Sequence, residues 1–379
     1  MIYADNAATT QIDQEVLDSM LNYLKGDYGN SSSPHLFGRK AKEALLKARE
    51  TIAKIINCAP NEIFFTSGGS ESITQAILSA ASWGENHNKK HIISSSIEHP
   101  AVLNTLLSLE ENGFKIDLVK PNNRGIVDYK KIKSLINNDT ALVSIMYANN
   151  EIGTIQPIQE IGCICRKKGV LFHSDCVQAI SHLDIDVNRD NLDMISFSAH
   201  KFHGPKGVGV LYCKKTFALT PLIYGGAQER GKRGGTENIA SIVAMAKALE
   251  IQSNNLVQNE LKIKRIRDFL ENKLLTIEDS HINGDRQSRL SSIINIRFDK
   301  VEAETLLLLL DKKNIYVSTG SACSSGSIEP SHVLMNLDLS KEEANCSIRI
   351  SLSKYNSDEE VATIFSEIKE IVNYIRSFN

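Results

Sequence analysis

No stretch of this 379-residue chain approaches the ~20 consecutive apolar residues that a membrane-spanning helix needs. The opening MIYADNAATT carries neither a basic region nor an apolar run, so no signal peptide is expected there. Neither sign of charge dominates: 43 Lys and Arg face 45 Asp and Glu, a formal net charge of -2. That balance gives no overall field to attract nucleic acid or an anionic membrane, and neither is expected as a direct partner. Internal repeats and low-complexity tracts are also lacking. Paired cysteines are not evident: there are seven, an odd number. In a chain of this length an odd count argues against a disulfide framework and for a reducing, cytoplasmic setting. Zinc spacing is missing too. Cys163 and Cys165 (CICRKKG) fall two residues apart on an expected helix, where they point away from each other.

What is present suits an ordinary globular protein, with 42% hydrophobic and 23% charged residues. The length suggests two or three domains. Strand patterns occur at EIFFTSG (62–68), HIISSSIEH (91–99), ALVSIMYANN (141–150), GVLFHSD (169–175), MISFSAHK (194–201) and GVGVLYC (207–213). Helical patterns such as SESITQAILSAA (70–81) and IQEIGCICRKKG separate several of them. The alternation predicts an α/β fold with a mostly parallel sheet. An amphipathic helix is expected over 39–57. Past a single long helix expected over 241–275, strands at 291–298, 314–319 and 346–353 alternate with helices and predict a smaller α+β domain. The expected division is 15–260 for the large domain, and 1–14 plus 261–379 for the small one.

Ligands of open α/β sheets bind beyond the carboxyl ends of the strands. Several expected strands end in a residue able to do chemistry: His99, Asn150, Asp175, and the pair His200 and Lys201. Each alone has a plain alternative, as a helix cap or a hydrogen-bonded structural group. Lys201 is the most informative. A lysine at the end of a buried strand is costly unless paired or neutral, and a neutral amine can attack a carbonyl. A lysine snorkelling at the sheet edge explains it equally well. A pyridoxal 5'-phosphate (PLP) site needs such a lysine, a carboxylate for the pyridine nitrogen and a phosphate cradle. Asp175 can supply the carboxylate. TSGGSES, between strand and helix, offers backbone N–H groups and the Ser70 hydroxyl. Cys58, Cys213 and Cys346 lie in or beside apolar runs and are expected in the core. Cys323 lies instead among serines and glycines (VSTGSACSSGSIEPSHVL, 317–334).

Ordered motifs across essentially the whole chain resemble one family. They are YADNAATT, GNSSSPHLFGRKA, FTSGGSES, EHPAV, ANNEIGTIQPI, HSDCVQ, SFSAHKFHGPKGVG, GGAQERGKRGGTEN, GSACSSGSIEPS and SIRISLS. The chain is similar to cysteine desulfurases of the NifS/IscS type, in the class V aminotransferase group of fold-type I PLP enzymes. The resemblance implies PLP as cofactor, with Lys201 as its Schiff-base lysine. It implies His99 stacked on the ring and moving protons, Asp175 on the pyridinium nitrogen and Gln178 on the phenolic oxygen. Gly69, Ser70, Ser198 and His200 would hold the phosphate. Thr236 would reach it across a homodimer interface. Asn150 and Arg349 would bind the carboxylate of L-cysteine, and Cys323 would take its sulfur as a persulfide. The sulfur would then pass to an acceptor protein such as an iron–sulfur scaffold.

HSDCVQ departs from the family pattern, with Cys176 and Val177 where smaller or hydroxylated residues are expected. Cys176 then reads as packing, with a second reactive thiol as the alternative. Two other functions compete with the desulfurase reading. A selenocysteine lyase would share the cofactor machinery but not need Cys323, and a non-catalytic scaffold would keep the fold alone.

Overall fold

The computed structural model describes residues 1–319 and 330–378. The chain opens with strand β1 (Ile2–Tyr3) and helices α1 (Gln14–Lys25) and α2 (Leu36–Ile55). Then come β2 (Ile63–Thr66), α3 (Gly69–Asn86), β3 (His91–Ser95), α4 (Pro100–Glu111), β4 (Lys115–Val119) and α5 (Tyr129–Leu135). β5 (Thr140–Ser144), α6 (Ile158–Lys168), β6 (Leu171–Asp175), β7 (Met194–Ser198) and β8 (Gly209–Cys213) complete a seven-stranded sheet. Its order is β2-β8-β7-β6-β5-β3-β4. β8 is antiparallel to β2 and β7, and the other pairings are parallel. The sheet is thus mostly parallel, as the alternation predicts. Its inner strands are buried apart from the half-buried Leu171 of β6, and apolar clusters on both faces cover it.

β4 carries no clear signal in the sequence. As the edge strand it pairs only with β3, and its polar residues Lys115 and Asp117 are not shielded. Such an edge tolerates charge and loses the apolar run that marks an inner strand. The helix expected over 241–275 is two helices, α7 (Ile239–Asn254) and α8 (Leu256–Leu274). Asn255 breaks it. Its backbone leaves helical geometry (φ -112°, ψ 10°), and its side-chain amide donates to Ile251 O at 2.8 Å. An Asn at this point competes with the helical ladder for that carbonyl.

The rest of the chain supplies β9 (Ser280–Ile282), β10 (Ile293–Phe298), α9 (Ala303–Lys312) and β11 (Ile315–Tyr316). It ends with α10 (His332–Asn336), α11 (Lys341–Asn345), β12 (Ser347–Ser351) and α12 (Asp358–Arg376). β12, β10 and β9 form an antiparallel sheet. α8, α9 and α12 bury Ile266, Leu306 and Ile364 in the same apolar cluster as Ile294 and Ile348 of that sheet. β1 pairs with β11, so the first residues join this second core and then run back toward the large sheet.

Candidate active site

Local signals aim each side chain. Asp175 is the last residue of β6, and its Oδ1 accepts from Val177 N at 2.9 Å. Of the residues read as strand ends, it alone ends one. β3 stops at Ser95, so His99 lies beyond it. Its ring caps α4 by accepting from Ala101 N at Nδ1, while Pro100 takes the first helical position, where no N–H is needed. A neutral His99 ring therefore carries its proton on Nε2. β5 likewise ends at Ser144, and Asn150 falls in the turn that follows. There Asn149 Oδ1 accepts from Glu151 N and Ile152 N and bends the chain. Lys201 ends a short 3-10 turn after β7.

The N-terminal stretch of YADNAATT lies over this turn. Lys201 Nζ donates to Ala7 O at 2.6 Å and to Ala8 O at 2.8 Å. Gln178 Nε2 donates to Ala7 O at 2.9 Å, and His200 Nδ1 lies 3.2 Å from Thr9 Oγ1. These backbone carbonyls are site groups that residue types alone could not disclose. The motif YADNAATT was their only trace in the sequence.

A cavity of about 260 Å³ gathers most of the expected residues. Gly69, Ser70, Ser198 and His200 line it with Asp175, Gln178 and Lys201. His99, Asn150 and Arg349 line it as well. At the Gly69 end, α3 starts with its first N–H groups, which no helical carbonyl can reach. A Cβ at Gly69 would sit 2.8 Å from Val177 Cγ2, so the backbone there approaches closely and leaves a cradle. Arg349, 3% exposed, donates to Asp5 Oδ1 at 2.8 Å and to Asn150 O at 3.0 Å, while its Nε has no partner among the described residues. Asp5 is a further site residue that the sequence did not single out.

The electrostatics follow from burial. Burial pushes the Asp175 carboxyl up; His99, the Val177 N–H and Lys201 pull it back down. Burial pushes His99 down, with Asp175 opposing and Lys201 and His332 adding to the effect. Burial also brings His200 down to about 4, with help from Lys201 and Lys206. Both imidazoles are therefore held neutral near pH 7. Glu98, beside His99, was not foreseen. Burial raises it to about 8 against the hydrogen bonds of Ser95 and Met146 N.

One expected residue lies elsewhere. Thr236 is exposed and lines a separate cavity of about 240 Å³ with Arg233 and Glu229. Cys323 lies outside the described residues. Cys176 is fully buried, and burial and Asp175 push its thiol well up, which suits packing rather than attack. Cys213 is buried as expected, whereas Cys58 and Cys346 are only half-buried. Among the described residues no helix is long and apolar enough to cross a membrane.

The class-V aminotransferase family model matches residues 2–364. A cysteine desulfurase IscS from Methanosarcina thermophila is 44% identical over 378 residues, covering 100% of this chain and 93% of that protein. A solved structure described as a NifS-like protein superposes with a TM-score of 0.93 at 40% identity, covering 98% of this chain and 99% of that one. Another, SspA in complex with cysteine, gives a TM-score of 0.84 at 36% identity, over 94% of this chain and 100% of that one. The chain therefore belongs to the class-V aminotransferases, among the IscS- and NifS-like cysteine desulfurases.

Proposed function

We propose that this chain is a PLP-dependent cysteine desulfurase that converts L-cysteine to L-alanine and loads the sulfur on Cys323. The observation that carries the reading is the meeting of Lys201, Asp175, His99, Asn150 and Arg349 in one cavity.

The residues fit the cofactor. A carboxyl raised by burial gains most from a cation set against it, which a protonated pyridine nitrogen supplies to Asp175. The N–H groups opening α3, with Ser70, Ser198 and His200 nearby, suit a phosphate. When bound, PLP stores the electrons released at the substrate α-carbon.

The chain's own groups do the rest. Lys201, held between Ala7 O and Ala8 O, would carry the cofactor and move the α-proton. His99 has a proton to give at Nε2. Gln178 would donate to the phenolic oxygen. Arg349 and Asn150 would hold the substrate carboxylate. The Cys323 thiolate attacks the substrate sulfur. An S–S bond forms, the Cβ–S bond breaks, its electron pair stays with Cβ, and protonation there completes alanine. The persulfide then passes to an acceptor, such as an iron–sulfur scaffold protein in the cytoplasm.

We also read residues 15–260 as the large domain and 1–14 with 261–379 as the small one. The separate apolar clusters support that division. The exposed Thr236 suits a homodimer in which it completes the partner's phosphate site.

The test is the mass of the Cys323 peptide after L-cysteine is added without reductant. A gain of one sulfur atom with release of alanine is expected, and Cys323→Ala should abolish both. Lys201→Ala should lose the visible absorption of bound PLP. Sulfide release from cysteine at the wild-type rate in Cys323→Ala would overturn the reading.

A further inference from the structure

Both stems of the segment that carries Cys323 are built on the candidate site. Upstream, Ser318 N donates to Arg349 O at 3.1 Å and Arg349 N donates back to Ser318 O at 2.6 Å. Downstream, three side-chain hydrogen bonds leave a six-residue stretch. Ser331 Oγ donates to Glu151 Oε2 at 2.5 Å. His332 Nε2 donates to Glu98 O at 3.0 Å. Ser96 Oγ donates to Asn336 Oδ1 at 2.7 Å. Glu151 directly follows Asn150, and Glu98 directly precedes His99.

An apolar cluster underlies these bonds. It joins Ile97 and Ile152, neighbours of the two glutamates, to Val333, Leu334 and Leu337. Apolar packing of this kind holds a helix in place but leaves its rotation and slide loosely set. Hydrogen bonds to fixed groups set them. Glu151 is 4% exposed, and a buried carboxyl needs a partner. The Ser331 hydroxyl that serves it also caps α10 by accepting from Leu334 N at 3.2 Å. One hydroxyl thus starts the helix and ties it to the residue beside Asn150.

We propose that Glu151 and His332 are positioning residues. They register the downstream stem of the Cys323 segment against the neighbours of Asn150 and His99, and so set the geometry of sulfur transfer. This rests on the desulfurase reading above. Neither residue touches the reacting atoms.

The test compares His332→Ala, Glu151→Ala and Glu151→Gln in the full chain loaded with PLP. Three readouts are taken: PLP absorbance, kcat and KM for L-cysteine, and turnover of L-selenocysteine. Selenide leaves without a cysteine nucleophile, so that last readout bypasses Cys323. His332→Ala and Glu151→Ala should lower kcat for cysteine about tenfold or more, the scale that misplacement by a distant residue produces. KM, PLP content and selenocysteine turnover should stay at wild-type values. Glu151→Gln keeps an oxygen for Ser331 and should recover most of the rate.

Unchanged cysteine kcat in the two alanine variants overturns the proposal. So does a parallel loss of PLP and selenocysteine turnover, which would mark general damage to the cavity. If Glu151→Ala does not fold, His332→Ala, at a half-buried position, decides alone. A wild-type protein inactive on cysteine would instead sink the desulfurase reading and this inference with it.

Discussion

Glu98 is a carboxyl whose chemistry is at odds with its surroundings. It is 1% exposed, and burial raises it from 4.5 to about 8. Between those two values the folded chain holds a proton that the unfolded chain releases. Stability should therefore fall as pH rises through that window. Glu98→Gln cannot release this proton and should lose that part of the slope. Urea unfolding of both proteins at several pH values between 5 and 8 checks it; parallel curves would refute it. This carboxyl was not legible in the sequence, although its neighbour His99 was. A histidine or lysine shortly past a strand announces itself because the fold class tells where strand ends converge. Glu98, Asp5 and Glu151 matter only through Met146, Arg349 and Ser331, and those pairings appear only after folding.

At the scale of elements, the Gly68–Gly69 turn between β2 and α3 depends on the adjacent strand β8. A Cβ at Gly209 would lie 2.7 Å from Gly68 Cα and from Gly68 C. The obstacle is backbone, which cannot swing aside as a flexible side chain would. Gly209→Ala should cost about 1–3 kcal/mol of stability by overpacking. It should also weaken PLP retention, because the strain falls on the start of α3. Chemical denaturation and PLP release under dialysis measure the two effects. An unchanged protein on both counts would show that the turn can yield. The inner strands were readable because each is a short apolar run bounded by turns. Edge strand β4 and the break at Asn255 were not: one lacks an apolar signature, and the other turns on a single side chain's hydrogen bond.

For the whole molecule, the role of Thr236 is read by a mixing experiment. If Thr236 serves the partner's site, mixed dimers of Lys201→Ala and Thr236→Ala subunits contain one intact site. Such mixtures should bind PLP and turn over cysteine better than either variant alone. No gain on mixing would place Thr236 outside the partner's phosphate site. The alternation of strand and helix patterns made the mostly parallel sheet legible, and the motifs made most of the cavity's lining legible. Which residue faces which across 200 or more positions was not, because sequence order carries no record of it.

The contact of Asp5 with Arg349 spans 344 positions, and Lys201 rests on carbonyls of Ala7 and Ala8. The β7–β8 hairpin that frames Lys201 needs only local pairing and can form early in biosynthesis. The cavity cannot. A nascent chain still short of Arg349 lacks the guanidinium that closes the site and the strand that Asn6 pairs with at Ser351. Lys201 is thus in place long before there is a pocket around it. Any ligand of this cavity is therefore met by a chain whose synthesis is nearly complete.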